Sequence, residues 1–256
     1  MMTMTMMIQM ETKIKPSVAL IITAAGSSTR MGCGCKKEYL LMGNGSNTVL
    51  SAASEPFFKA LTISTVIITI PENSTNEEIK DAKTAFFTSN FIKNIFENKD
   101  TSIIPPELLF VKGGSSRQES VLKGLLALEK AKPEIVLIHD GARPFVTEKI
   151  IQNVYNAVLT HEAATCGITP VDTQKEIDST GKIVRHLNRA MLSAVQTPQG
   201  FKYNELLKAH KIAIHDNKLY TDDTEIWNEY ISPVYVVEGS SKNKKITFPE
   251  DLNINI

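Results

Sequence analysis

Residues 24–40 read AAGSSTRMGCGCKKEYL, a glycine-bearing loop directly after the apolar run Val18-Ala19-Leu20-Ile21-Ile22. The chemistry this suits is the holding of a polyphosphate. Ala24, Ala25 and Gly26 leave room for backbone N–H groups to approach anionic oxygens, and Arg30 and Lys37, seven residues apart, add two cations. Two commoner phosphate loops do not fit. A dinucleotide fingerprint needs G-x-G-x-x-G, whereas Gly26 is followed by Ser27, Ser28 and Thr29. A Walker loop ends in Gly-Lys-Ser/Thr, a tripeptide that does not occur. Taken alone, the segment also fits a tight strand-to-helix turn carrying a solvated arginine.

Five further clusters fall where strands should end, the ligand edge of open α/β sheets. In Lys112-Gly113-Gly114-Ser115-Ser116-Arg117-Gln118-Glu119-Ser120 the paired glycines admit a flat base or a ribose, and Ser116 with Glu119 reads as a capping box opening a helix. Ser120, one turn in, points its hydroxyl back toward the loop. In His139-Asp140-Gly141-Ala142-Arg143-Pro144 the strand-end carboxylate Asp140 suits magnesium, which takes one or two carboxylates together with phosphate oxygens and water. Arg143 faces a second anion or simply pairs with Asp140. His139 reads as a structural imidazole, since no second histidine or cysteine is spaced to complete a metal site. The late clusters are Asp172-Thr173, Arg189 with Gln196-Thr197-Pro198-Gln199, and Thr221-Asp222-Asp223 followed by Lys244-Lys245. Each has a plain reading: Thr221 as a helix N-cap, the lysines as a solvated turn. Together they supply hydroxyls and cations suited to a phosphorylated alcohol.

These groups need a scaffold, and the chain alternates β-branched runs with longer helical ones, as in a mostly parallel sheet covered on both faces. Strands are expected near 18–23, 66–70, 108–111, 134–138, 163–168, 194–197 and 234–238. Helices are expected at 48–60, 75–97, 117–130, 147–160, 203–215 and 221–230. Residues 171–190 break the rhythm as a polar hairpin turning at Asp178-Ser179-Thr180-Gly181, with too little apolar surface to stand alone. It is expected to pack on another subunit.

A chain of 256 residues, 42% hydrophobic, buries a large core. Lysine plus arginine equals aspartate plus glutamate at 28 each, so net charge gives no reason to expect a nucleic-acid partner. No run of eighteen apolar residues exists, so no membrane span is expected. Cys33, Cys35 and Cys166 make neither an even disulfide set nor a zinc pattern, which points to a reduced, cytoplasmic setting. Residues 1–17, rich in methionine, lack the basic region and cleavage site of a signal peptide and read as a disordered or frayed extension ahead of one domain over 18–256.

AAGSSTRM with Lys37-Glu38-Tyr39-Leu40, GGSSRQESV, HDGARP, Asp172 to Lys175, Arg189 to TPQGF, TDD and KKITFPEDL occur in that order. The ordered set resembles the methylerythritol phosphate cytidylyltransferase family of the non-mevalonate isoprenoid pathway, from about Val18 to Leu252. The resemblance implies a Rossmann-like nucleotidyltransferase fold, with a β-arm at about 171–190 that exchanges across a homodimer. It implies that Ala24, Ala25, Gly26, Arg30 and Lys37 hold the triphosphate of CTP, that Gly114 and Ser120 lie at the cytosine and ribose, and that Asp140 binds magnesium. Arg143, Thr173, Arg189, Thr197, Thr221 and Lys245 match positions associated with methylerythritol phosphate, with Arg30, Lys37 and Lys245 as the catalytic cations. Thr23, Ser28, Lys36 and Gly141 depart from the family pattern, and Ser115 replaces a frequent aspartate in the base loop. Residues 71–107 look like a peripheral insertion. A polyol phosphate cytidylyltransferase, acting for example on ribitol phosphate, and a catalytically silent nucleotide binder are the alternative readings.

Overall fold

The computed structural model describes residues 16–32, 34–43, 45–97 and 104–253. The expected frayed extension falls largely outside them. The chain opens with β1 (Val18–Thr23), α1 (Val49–Ala60), β2 (Thr65–Ile70), α2 (Asn76–Phe86), α3 (Asn90–Glu97), β3 (Glu107–Lys112) and α4 (Arg117–Ala127). It continues through β4 (Ile135–Asp140), α5 (Glu148–His161), β5 (Ala163–Ile168), β6 (Lys175–Ile177), β7 (Ile183–His186), β8 (Ala194–Lys202), α6 (Tyr203–His215), α7 (Asp223–Tyr230) and β9 (Tyr235–Glu238).

Among the described residues the main sheet has seven strands in the order β3-β2-β1-β4-β8-β5-β9. Every neighbouring pair is parallel except those made by β8, which runs antiparallel to both β4 and β5. This is the mostly parallel α/β fold expected from the alternating pattern. The strands are apolar on both faces, and each face has its own helices. Leu20, Ile22, Val66, Ile68 and Leu137 pack against Leu50 and Phe57 of α1, Phe86 of α2, and Val154 and Val158 of α5. Ala19, Ile21, Ile67, Val136 and Ile138 meet Val121 and Leu125 of α4, Leu206 of α6 and Trp227 of α7.

Two expectations are corrected. The single helix over 75–97 is two, because Ser89 ends the continuous pattern: its hydroxyl accepts from the Ile92 N–H at 3.1 Å and donates to Glu55 at 2.6 Å. Phe86 and Phe87 at the break and Phe96 beyond it close on one another and on Phe58, with ring centroids 5.1–6.3 Å apart, so α2 and α3 are packed against α1. The strand expected at 194–197 runs on to Lys202. Its Gly200 lies where a Cβ would sit 2.7 Å from Val158 of α5 and 2.8 Å from Leu137, so close packing of α5 on the sheet, and not a turn, accounts for that glycine.

The polar hairpin forms as β6 and β7, paired antiparallel in a separate two-stranded sheet. Asp178 closes its turn by accepting from the N–H groups of Thr180 and Lys182 at 2.8 and 3.1 Å, and Gly181 takes the left-handed φ of 85°.

Candidate active site

The order of the sheet reverses between β1 and β4: β2 and β3 were laid down on one side of β1, and β4 on the other. Open α/β sheets bind ligands at such a switch point, outside the carboxyl ends of the strands. Thr23 and Asp140, the last residues of β1 and β4, are register partners there. They floor a cleft of about 510 Å³ lined by Ala25, Gly26, Arg30, Lys37, Gly114, Ser115, Ser120, Asp140 and Lys245 among others.

Asp140 is the electrostatic centre. Lys245 Nζ lies 2.8 Å from Oδ2, Arg143 Nε 3.3 Å from the same oxygen, and Arg117 Nε 3.9 Å from Oδ1. Burial pushes this carboxyl up, but Lys245, Arg117 and Arg143 outweigh it and hold Asp140 well below the usual carboxylate range. It is therefore ionised. Thr23 adds its hydroxyl at 3.4 Å.

The loop after β1 is tied to this centre from both ends. Ser28 adopts a left-handed φ of 55°, a conformation that favours glycine. Its hydroxyl offsets that strain by accepting from the Lys37 N–H at 3.3 Å and donating to Glu38 at 3.4 Å. The Lys36 ammonium bonds the Gly26 carbonyl, so this side chain closes the loop. Lys37 is only 8% exposed, with Nζ donating to the Ile246 carbonyl at 2.8 Å. Burial lowers its pKa, Glu38 opposes that, and Lys245 and Arg30 lower it further. Arg30, on a short 3-10 turn, is exposed at the cleft wall. Cys35 is disulfide-bonded, which departs from the expectation of reduced thiols, and Cys166 is buried and free.

At the other end of the cleft, Gly113 lies where a Cβ would meet Ala25 at 2.6 Å, so the two loops touch. Ser120 Oγ accepts from the Gly114 N–H at 3.0 Å and donates to the Ser116 carbonyl at 2.8 Å. The expected capping box is only half formed. Ser116 caps Glu119, but the Glu119 carboxylate turns to Ser115 instead of the Ser116 backbone.

A sequence profile described as 2-C-methyl-D-erythritol 4-phosphate cytidylyltransferase matches residues 18–255. The chain belongs to this cytidylyltransferase family. The family protein of Clostridium novyi (strain NT) is 38% identical over 232 residues, covering 91% of this chain and 92% of that one. That of Bacillus cereus (strain ATCC 10987 / NRS 248) is 36% identical over 235 residues, covering 92% and 94%. The crystal structure of 4-diphosphocytidyl-2C-methyl-D-erythritol synthase from Anaerococcus prevotii superposes with a TM-score of 0.73 at 29% identity, covering 93% of each chain.

Of the residues the cytidylyltransferase resemblance singled out, Ala25, Gly26, Arg30, Lys37, Gly114, Ser120, Asp140 and Lys245 meet in the one cleft. Ala24 is buried just behind it, its N–H on Thr69. Arg143 stands beside Asp140 and is anchored by the Asn243 carbonyl at 2.9 Å. Thr173 and Arg189 are exposed at the root of the hairpin, Arg189 on the Val171 carbonyl. Thr221 is exposed and bonded to Glu225, and the cap of α7 is Asp222, one residue later than expected. Thr197 lies behind Asp140: its hydroxyl accepts from the Asp140 N–H at 3.1 Å and meets His139 Nδ1 at 2.9 Å.

Arg117 carried no assigned role in the sequence reading and is the residue it missed. Its Nη1 pairs with the fully buried Asp223 at 2.7 Å, and Asp223 also bonds buried His210 at 3.0 Å, so α6 and α7 hold the guanidinium over Asp140. An arginine directly after an N-cap at a strand-edge loop was the available signal.

His139 is structural, as expected. Its Nε2 faces the Arg143 carbonyl, which only accepts, so Nε2 carries the proton and Thr197 donates to Nδ1. Burial pulls its pKa down to about 4 from 6.5. The unfolded chain thus binds a proton that the folded chain refuses between those values, and stability falls as pH drops through them. From pH 7 to 5 the expected loss is about 2 kcal/mol from this group. Urea titrations at both pH values check it, and His139→Asn should flatten the slope by that amount.

Proposed function

We propose that the chain transfers CMP from CTP to 2-C-methyl-D-erythritol 4-phosphate, releasing pyrophosphate, in non-mevalonate isoprenoid precursor biosynthesis. The observation that carries this reading is the ring of cations around ionised Asp140, beside a glycine loop with a buried Lys37, at the switch point of the sheet. The triphosphate lies along Ala25 and Gly26 between Arg30 and Lys37, with ribose and base toward Gly114 and Ser120; Ala24, its N–H taken by Thr69, only backs the loop. A phosphate oxygen of the acceptor attacks the α-phosphorus in line, and pyrophosphate leaves. The acceptor phosphate is largely ionised near neutral pH, its second pKa being about 6, so no general base is required. Catalysis is then the positioning of two anions and the stabilisation of charge on the equatorial and leaving oxygens. Lys37 and Lys245 do this directly, while Arg117 and Arg143 keep Asp140 oriented.

Asp140 fits magnesium. It is an ionised cleft-lining carboxylate beside the glycine loop, a donor suited to an ion held by one carboxylate and the substrate's phosphates. When bound, the ion supplies charge neutralisation to the phosphates. Lys245, 40% exposed, has room to turn from Asp140 to a phosphate.

Among the described residues no helix is long and apolar enough to cross a membrane. We place the enzyme in the cytoplasm as a homodimer. The hairpin exposes Ile177, Ile183 and Val184 at 55–60%, and Val171 and Met191 beside it more still, an apolar surface that a second copy would cover. That copy would bring Thr173 and Arg189 to the partner's acceptor site. Val184→Lys should shift the sedimentation profile toward monomer and raise the KM for the acceptor more than that for CTP.

Incubation of the protein with CTP, magnesium and either methylerythritol phosphate or ribitol phosphate tests the acceptor. Product should form from the first at the higher kcat/KM; preference for ribitol phosphate overturns the choice.

A further inference from the structure

The two ends of the cleft differ in charge. Arg30, Lys37 and Lys245 crowd one end, whereas the other is made of Gly114, Ser115, Ser116 and Ser120, with the Arg117 charge spent on Asp223 and Asp140. The hydroxyl end suits an uncharged base. At its rim the Glu119 side chain crosses over Gly114, where a Cβ would stand only 2.1 Å from Glu119 Cδ. Its Oε2 takes both the Ser115 N–H at 2.8 Å and the Ser115 hydroxyl at 2.9 Å, and Oε1 is held by Lys123 at 3.1 Å.

An ionised carboxylate only accepts, so the Ser115 hydroxyl must be the donor in that bond. The Ser115 N–H, then Lys123 and the Ser115 hydroxyl, keep the Glu119 carboxyl below the usual range. With its proton committed to Glu119, Ser115 Oγ has only lone pairs left to offer the cleft that it lines. Cytosine presents an exocyclic amino donor where uracil presents a carbonyl acceptor.

Resting on the reading of this end as the base site, we propose that Ser115, polarised by Glu119, selects cytosine over uracil by accepting from the 4-amino group. Ser115 is then the residue that contacts the base, and Glu119 is a positioning residue that fixes the direction of its hydroxyl. A serine and a carboxylate one helical turn away together do what one acidic side chain in the loop would do.

The test compares CTP, UTP and the triphosphate of pyrimidin-2-one riboside, which lacks the 4-amino group, in the wild type, Ser115→Ala and Glu119→Gln. Ser115→Ala should lower kcat/KM for CTP roughly tenfold, the effect of one neutral hydrogen bond. It should change the value for the 4-deamino analogue by no more than about twofold, and the CTP to UTP ratio should fall by at least the same tenfold. Glu119→Gln, whose amide can donate to Ser115 and release the hydroxyl proton, should lower the ratio without changing KM for the acceptor. Equal losses with CTP and the analogue, or an unchanged CTP to UTP ratio, overturn the proposal. Calorimetric binding of the three nucleotides with magnesium reads the same ratios without turnover. A wild type that binds CTP selectively but releases no pyrophosphate would therefore count against the transferase reading and not against base selection.

Discussion

Lys37→Ala is expected to slow turnover by on the order of 10²–10³-fold, or roughly 3–4 kcal/mol of barrier, the size of effect seen when one preorganised charge-stabilising donor is removed. Lys37 earns this weight by its seat. It is nearly buried, with Nζ fixed on the Ile246 carbonyl, and it reaches the cleft from the far end of the Gly26 loop. Its ammonium is partly stripped of water before substrate arrives, so its field on a phosphate oxygen is less screened than that of an exposed lysine. Lys37→Arg should not restore the rate, because the planar guanidinium does not fit a seat shaped for one point charge. Initial rates of pyrophosphate release check both variants, and an unchanged rate in Lys37→Ala removes this residue from the mechanism.

Asp140→Asn should lower kcat/KM by on the order of 10³-fold and abolish the response of the rate to magnesium. The substitution keeps shape and deletes the charge that Lys245, Arg143 and Arg117 converge on. Removing one partner of a fully buried pair costs about 3–5 kcal/mol. Lys245 and Arg117 retain some solvent contact, so the stability loss should be smaller than that while the activity loss is not. Thermal melts and Mn²⁺ binding with CTP present separate the two effects: the melt shifts modestly, and nucleotide-dependent metal binding disappears.

The parts of this site legible in the sequence are those that local rules place. A loop after β1, a carboxylate ending β4 and paired glycines after β3 all follow from strand ends, and the sheet brings them together at the β1/β4 switch. What the sequence hid depends on distant packing. Arg117 owes its position to Asp223, 106 residues away, and Thr197 turns its hydroxyl to Asp140 and His139 because β8 is inserted antiparallel between β4 and β5. The capping box failed at Glu119 because a competing N–H, that of Ser115, lay within reach of the same carboxylate. Thr173, Arg189 and Thr221 do not line the cleft within one chain, because they stand exposed at the root of the hairpin and ahead of α7, where distant packing and not a strand end sets their place.

The central claim is attack by the acceptor's phosphate on the α-phosphorus of CTP in this cleft. Methylerythritol phosphate carrying ¹⁸O in all its non-bridging phosphate oxygens, incubated with CTP, magnesium and the protein, tests it by mass spectrometry of both products. The account predicts one pyrophosphate per cytidylylated product, with all the label in the diphosphate of that product and none in the pyrophosphate. Label in the released pyrophosphate, or tight CTP binding with no release when acceptor is added, would contradict it.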